Sequence, residues 1–191
     1  MQHFDDLETR APEAREGALM AALPVQVAHA KSNAPGFARI LADVDPAGVS
    51  SRKALARLPV TRKSDLGDLQ KASPPFGGLN ATPLEKLPRL FVSPGPIYEP
   101  EGHGTDWWRS ARALFAGGFR PGDLVVNTFS YHFTPAGAML ESGARAVGCT
   151  VVPTGVGQTE MQVATIAHLR AGGSVGTPSF LKLVCEKADE M

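Results

Sequence analysis

The chain has 191 residues, which suffices to bury the core of a domain, and its 19 Lys and Arg residues balance 19 Asp and Glu residues. With zero net charge there is no basic field to attract nucleic acid or an anionic membrane surface, and neither is expected as a partner. No apolar stretch approaches membrane-spanning length, and the first residues, MQHFDDLETR, lack the pattern of a signal peptide. Cys149 and Cys185 stand among apolar residues and are interpreted as buried free thiols. A cytoplasmic protein is expected.

The chain before Pro88 is rich in Ala, Leu and Arg and is predicted to be helical. The pattern predicts helices over residues 13–23, 24–31 (a continuation or a second helix), 36–41, 52–58 and 62–70. Ser51 and Thr61 are suitable N-caps for the last two helices. Residues 71–87 contain several Pro and Gly residues and are predicted to form a loop. The expected division is therefore a helical segment with its connecting loop over 1–87 and an α/β subdomain over 88–191.

Strands and helices alternate after Pro88. Strands are predicted over 90–93, 123–129, 150–153 and 174–176, and the helices that follow them over 105–116, 136–147, 160–170 and 179–188. Four such repeats predict an α/β fold with a mainly parallel sheet covered by helices. Ligands bind at the carboxyl ends of the strands in sheets of this kind. The four loops at those ends are rich in Gly, Ser, Thr and aromatic residues, which favours a binding crevice there.

The segment Phe91–Trp108 gives two opposite indications. A strand, a glycine-containing loop and a helix that begins near Thr105 are typical of an anion site, because free backbone N–H groups and the helix dipole converge there. However, Pro94 and Pro96 supply no N–H group, and Glu99 would repel a phosphate. The position therefore predicts a nucleotide loop, whereas the residue types argue against one.

Three motifs follow one another along the second half of the chain: an N-x-[FY]-x-Y cluster in DLVVNTFSYHFTPAG, the turn GCTVVPTGVGQTE and the strand end GTPS. With the collinear sequence from about Val60 onward, they resemble the phenylacetate–CoA ligase branch of the adenylate-forming enzymes. The resemblance implies the N-terminal part of the large domain of such an enzyme, as an incomplete fragment without the C-terminal domain. It also implies a reaction in which ATP converts a carboxylic acid to an acyl-adenylate and CoA then displaces AMP. The chain alone is expected to be inactive.

The resemblance also implies a set of site residues. The aromatic segment after the second predicted strand would border the acid pocket, and its residues are Phe129, Tyr131 and His132. Packing in the core is the alternative for these aromatic residues. The nucleotide or anion loop would comprise Ser93, Gly95, Thr105, Gly155, Gly157, Gln158, Thr159 and Glu160. Helix capping explains Thr159 and Glu160 equally well. No catalytic residue is identified, and no Cys/His metal spacing is present.

The phosphate loop of the family reads approximately SSGTTGKP, and the matching residues here depart from it. Pro94 and Pro96 replace residues that could donate hydrogen bonds, and Glu99 stands in place of the lysine. ATP/AMP, Mg and CoA are the implied cofactors, but these substitutions argue against ATP binding in the usual manner. One hypothesis is a ligase that activates an aromatic or apolar carboxylate. The alternative is a non-catalytic, ligase-like binding or interaction module that has lost ATP chemistry. The expected partners are a small carboxylate and CoA, and homo-oligomer formation remains open.

Overall fold

The computed structural model describes residues 2–191, which divide into two compact units. One unit is Asp6–Gly102, and the other combines residues 2–5 with His103–Met191. The boundary between the units lies after Gly102 and not after Leu87. The reason is that the two strands after Pro88 pair with each other and pack against a helix of the unit Asp6–Gly102.

The unit Asp6–Gly102 consists of helices and one β-hairpin. Its α-helices are α1 (Pro12–Asn33), α2 (Pro35–Ile40), α3 (Arg52–Leu55) and α4 (Lys63–Ala72), and its strands are β1 (Arg89–Ser93) and β2 (Ile97–Glu101). Short 3-10 helices lie at Asp6–Thr9, Pro46–Gly48 and Leu84–Lys86. Val27, Leu41 and Val49 form the buried core of the helical part. Helix α1 continues through Pro24, so the two helices considered for residues 13–31 are one.

The hairpin differs from the sequence prediction, which assigned residues 90–93 to the parallel sheet. Strand β1 instead pairs antiparallel with β2, and Ser93 lies opposite Ile97 across a three-residue turn. The side chain of Gln70 on α4 accepts a hydrogen bond from the Tyr98 backbone N–H at 2.9 Å and donates one to its carbonyl oxygen at 2.8 Å. This amide thus pairs with β2 much as a neighbouring strand would.

The unit that contains His103–Met191 has the predicted α/β alternation. Its elements are α5 (Ala111–Ala116), β3 (Leu124–Asn127), α6 (Ala136–Val147), β4 (Thr150–Val152), α7 (Thr159–Leu169), β5 (Gly173–Val175) and α8 (Pro178–Glu190). The strands form a parallel sheet in the order β4-β3-β5, which confirms the α/β class. Val125, Val126 and Asn127 on the central strand are fully buried. Helices α5 and α6 complete the core with residues such as Phe115 and Val147.

The two predicted caps, Ser51 and Thr61, have different outcomes, and a third cap is seen at Thr177. Ser51 caps α3, since its Oγ accepts a hydrogen bond from the Ala54 N–H at 3.2 Å. Thr61 does not cap α4, which begins after Arg62 without a side-chain cap. The Thr177 hydroxyl caps α8 by accepting from the Phe180 N–H at 3.3 Å.

The two cysteines, which were both predicted to be buried, differ in exposure. Cys149 is buried as predicted, whereas Cys185 is exposed on α8, so the prediction of a buried thiol was wrong there. Among residues 2–191, none of the helices has both the length and the apolar composition needed to cross a membrane.

Candidate functional site

The carboxyl ends of the three parallel strands meet at one edge of the sheet. Asn127 on β3 is aligned with Val175 on β5, and Val126 is aligned with Val152 on β4. The loops that follow these strands, 128–135, 153–158 and 176–177, therefore start side by side. This is the edge at which the sequence predicts a binding crevice.

Asn127 organises the loop after β3. Its side chain is completely buried, and its Nδ2 donates to the Tyr131 hydroxyl oxygen and to the Gly137 carbonyl oxygen, both at 2.8 Å. Its Oδ1 accepts a hydrogen bond from the Phe129 N–H at 3.1 Å. A single buried amide thus ties the end of β3 to the aromatic loop and to the first turn of α6.

The backbone of Asn127 also holds the loop after β4. Its carbonyl oxygen accepts from the Gly155 N–H and from the Thr154 hydroxyl, each at 3.0 Å. The aromatic loop and the glycine loop are therefore anchored on the same residue. Asn127 lies within one of the sequence motifs but is not among the predicted site residues, although a polar residue ending an apolar strand is a visible signal.

The ring of Tyr131 packs over two glycines. A Cβ atom at Gly137 would lie 2.9 Å from the Tyr131 ring and 2.7 Å from the Ser130 carbonyl oxygen. A Cβ at Gly155 would lie 3.9 Å from the same ring. The absence of a side chain at Gly137 is what allows the ring to occupy this position, so the aromatic loop and the first turn of α6 are matched to each other.

The other aromatic residues lie on the same loop with different exposure. Phe129 is half-buried, whereas His132 is exposed and Phe133 is 78% exposed. The His132 N–H donates to the Ser130 hydroxyl at 3.2 Å, and Phe133 has a positive φ of 57°. The predicted residues Phe129, Tyr131 and His132 are therefore brought together on one loop at the end of the central strand.

The loop between β4 and α7 has a left-handed backbone at three positions. The φ angles are 66° at Gly155, 79° at Gly157 and 49° at Gln158. Gln162, which is only 2% exposed, donates from Nε2 to the carbonyl oxygens of Gly155 at 2.8 Å and Gly157 at 2.9 Å. Its Oε1 is buried without a hydrogen-bond partner among the described residues. Gln162 was also missed, because a buried polar residue inside a helix has no sequence signature of its own.

Thr159 and Glu160 form the start of α7. Thr159 is the first helical residue and Gln158 the residue before it, so the predicted Thr159 cap is wrong. The Glu160 carboxylate lies 2.8 Å from the Lys187 ammonium group of α8, and the hydrogen bond from Lys187 holds the pKa of Glu160 below its ordinary value. The ion pair with Lys187 is sufficient to explain the position of the Glu160 carboxylate without a bound ligand.

The helix predicted to begin at Thr105 begins instead at Ala111, so Thr105 does not lie at a helix N-terminus. Thr105 lies in a turn. The Asp106 carboxylate accepts hydrogen bonds from the N–H groups of Ser110 at 2.9 Å and Ala111 at 3.1 Å. The first amides of α5 therefore already contact a carboxylate supplied by the chain.

Ser93 and Gly95 belong to the other unit, at the hairpin turn. The Ser93 hydroxyl donates to the Glu99 carboxylate at 2.6 Å. Because Pro94 and Pro96 have no N–H group, Gly95 supplies the only backbone donor within the turn. These residues do not fit the polyphosphate of ATP, since a phosphate loop needs several convergent donors.

No group of three or more His, Cys, Asp or Glu side chains in residues 2–191 is arranged to hold a metal ion.

The chain is similar in sequence to curated phenylacetate–CoA ligases. It is 34% identical to the enzyme of Thermus thermophilus over 98% of the chain and 43% of that enzyme. It is 34% identical to the enzyme of Aromatoleum evansii over 86% of the chain and 38% of that enzyme. No family model matches the sequence.

The fold is similar to that of solved 2-hydroxyisobutyryl-CoA ligase. In complex with 2-HIB-AMP and CoA in the thioesterification state, that enzyme superposes with a TM-score of 0.86 at 25% identity, over 95% of this chain and 41% of its own. In the postadenylation state with 2-HIB-AMP the TM-score is 0.83 at 26% identity. The chain thus spans about two-fifths of the length of these relatives. By sequence and fold, it belongs to the phenylacetate–CoA ligase-like branch of the adenylate-forming superfamily.

Proposed function

We propose that this chain provides the acid-binding part of an acid–CoA ligase and that the acid is aromatic or otherwise apolar. The observation that carries the proposal is the placement of the Tyr131 ring over Gly137 and Gly155, at the carboxyl end of the central strand. The ring is held from behind by the hydrogen bond between its hydroxyl oxygen and buried Asn127. A fixed ring of this kind offers a flat apolar surface to a ligand.

The neighbouring residues support an apolar acid with a single charged end. Phe129 and Tyr131 supply aromatic surface, and such surface favours contact with rings and alkyl groups. His132 is exposed beside them and is the nearest residue on this loop with a ring N–H that could donate to a carboxylate. The sequence relatives are named for phenylacetate, which agrees with an acid site formed by these aromatic residues.

The nucleotide side of the proposed site is the loop between β4 and α7. Gly155 and Gly157 leave the backbone of this loop without side chains, and Gln162 fixes their carbonyl groups. The solved relatives are described with an acyl-AMP and with CoA, and we assign adenylate and CoA as the cofactors of the proposed ligase. When bound, AMP serves as the leaving group that CoA displaces from the acyl carbon. We assign Gly155, Gly157, Gln158, Thr159 and Glu160 to the adenylate side.

Calorimetric titration with phenylacetate tests the acid assignment. The Tyr131→Ala variant should bind phenylacetate at least about tenfold more weakly, because the loss of a packed ring contact commonly costs more than 1 kcal/mol. Tyr131→Phe keeps the ring and should retain most of the affinity. Trp107→Ala is the matched control, since Trp107 is an aromatic residue that is 44% exposed outside the β3 loop. Unchanged phenylacetate affinity in Tyr131→Ala would contradict the proposal.

The same titration with 2-hydroxyisobutyrate tests the class of acid. An aromatic-lined site should bind this small hydroxy acid more weakly than phenylacetate, because it offers less apolar surface. If the protein prefers 2-hydroxyisobutyrate, the proposal of an acid-binding site stands, but the proposal that the acid is aromatic or apolar is wrong. Formation of phenylacetyl-CoA from phenylacetate, ATP and CoA tests the activity of the complete enzyme in which this chain occurs.

A further inference from the structure

We propose that the turn between β1 and β2 rejects polyphosphate, so that nucleotide binding by this protein gains nothing from the β- and γ-phosphates of ATP at this turn. The proposal deepens the proposed ligase function, on which its biological meaning rests. It concerns only the hairpin residues from Ser93 to Glu99, and it names Glu99 as the residue that sets the preference.

The turn offers a single backbone hydrogen-bond donor. The register places Ser93 opposite Ile97, so the turn contains only Pro94, Gly95 and Pro96. Since proline has no N–H group, one amide remains, that of Gly95. Loops that hold phosphate do so by pointing several consecutive N–H groups into one concave space. A turn with one N–H group cannot form such a cradle.

The side-chain donor at this turn, the Ser93 hydroxyl, is already engaged. The Ser93 hydroxyl donates to the Glu99 carboxylate at 2.6 Å, and Ser93 is only 9% exposed. The carboxylate thus occupies the position in which an anionic ligand would accept from Ser93. A phosphate that approached Ser93 would meet a like charge at a few ångströms, where repulsion is strong in a partly buried setting.

The backbone of Glu99 is held in place on β2. Gln70 hydrogen bonds to both the N–H and the carbonyl oxygen of Tyr98, the residue immediately before Glu99. Gln70 is only 8% exposed, so this clamp is shielded from water. The backbone that carries Glu99 is therefore fixed, so the carboxylate cannot leave Ser93 by a backbone movement and can do so only by changing its rotamer.

The charged neighbours of the hairpin do not create a phosphate site. Arg89 lies at the end of the hairpin opposite the turn, where its guanidinium group contacts the Glu101 carboxylate at 3.0 Å. Lys63 on α4 and Glu99 both line a cavity of about 390 Å³ beside β2. The positive charge of Lys63 and the negative charge of Glu99 offset each other, so this cavity has no net positive charge from the pair.

The amide of Gly95 provides a direct test on the full 191-residue chain. We expect the ¹H–¹⁵N signal of Gly95 to stay in place when sodium tripolyphosphate or Mg·ATP is titrated into the labelled protein. A saturable shift of the Gly95 signal, with broadening at Ser93, would overturn the proposal. This result does not depend on whether phenylacetate binds, so the turn assignment can fail or survive separately from the proposed function.

Charge reversal provides the second arm. Glu99→Lys should tighten tripolyphosphate binding at least about threefold, because an attraction replaces a repulsion beside the turn. AMP binding should remain unchanged, since AMP lacks the β- and γ-phosphates. Glu85→Lys is the matched control, with the same charge change at an exposed position of the same unit. Equal gains in both variants, or no gain in Glu99→Lys, would contradict the role assigned to Glu99.

Discussion

The carboxyl end of β3 and the turn between β1 and β2 are both strand ends followed by glycine-containing segments, yet they use their polar groups in opposite ways. At β3, the buried amide of Asn127 bonds to the Tyr131 hydroxyl and to the first turn of α6, behind the aromatic loop. At the hairpin turn, Ser93 and Glu99 bond to each other. The end of a strand can bind a ligand only where the groups that face the ligand are not already used in hydrogen bonds within the protein. By that criterion the β3 end is the better site.

The largest test of this comparison is the removal of the Asn127 amide. Asn127→Leu should lower the free energy of unfolding by about 3 kcal/mol, because it removes the hydrogen bonds of a fully buried amide and leaves the Phe129 N–H without its partner. Chemical denaturation monitored by circular dichroism measures the change. Asn80→Leu is the control, since half-buried Asn80 makes a single bond to the Thr82 carbonyl oxygen. Equal losses in both variants would refute the central role of Asn127.

A smaller effect is expected from filling the space under the tyrosine ring. Gly137→Ala should destabilise the protein by about 2 kcal/mol, because its Cβ would overlap the Ser130 carbonyl oxygen and the Tyr131 ring. Phenylacetate affinity should fall with it as the ring is displaced. Gly17→Ala in α1 is the matched control: its Cβ meets no atom within 4 Å, so it should stabilise the helix by about 0.5–1 kcal/mol. A neutral Gly137→Ala would show that the ring position is not fixed by this contact.

The hairpin side of the comparison is tested by Gln70→Leu. The substitution removes both hydrogen bonds to the Tyr98 backbone and should cost about 1–2 kcal/mol. Amide hydrogen exchange should show the loss locally, with faster exchange at Tyr98 and little change on β3. Gln26→Leu, at an exposed position of α1, should leave exchange at Tyr98 unchanged. Protection at Tyr98 that survives Gln70→Leu would mean that the hairpin is fixed by other contacts.

The smallest expected effect is a pH dependence at α7. Hydrogen bonding from Lys187 lowers the pKa of Glu160 in the folded protein, so the pair stabilises the fold above the ordinary Glu pKa and this contribution is lost as the pH falls through the lowered value. The raised pKa of Lys187 sets the upper limit, above which the contribution is lost again. Urea midpoints of wild type and Glu160→Gln should therefore differ slightly at pH 7 and converge in strong acid. A difference that persists in strong acid would contradict this origin.

Sequence periodicity predicted the α/β unit well because its signals are local. Helix α6 was predicted with its observed bounds, since small residues continue up to Gly148, which ends the helix in the left-handed conformation that glycine favours. Strand β3 was predicted three residues too long, because Asp123 precedes the observed strand and Thr128 and Phe129 already belong to the loop after it. The alternation of strands and helices was sufficient to predict that the strands of the sheet are parallel.

The hairpin could not be predicted in the same way. Strand β2 reads IYEPE, in which a proline and two charged residues give no β pattern, and its pairing depends on contacts with β1 and Gln70. The absence of a helix from 105 to 110 likewise follows from the Asp106 side chain, which bonds to the amides of Ser110 and Ala111. Gln162 was missed because its importance depends on burial, whereas Asn127 was missed although a polar residue at the end of an apolar strand is a visible signal.

The bonds of Asn127 also bear on how the fold assembles. Its amide and carbonyl groups are satisfied only when β3, the first turn of α6 and the loop after β4 have all come together. Until then, a polar residue at the end of an apolar strand remains hydrated and opposes burial of that strand. The β3–α6–β4 segment should therefore form as one cooperative unit, in which opening any one of the three connections exposes the other two.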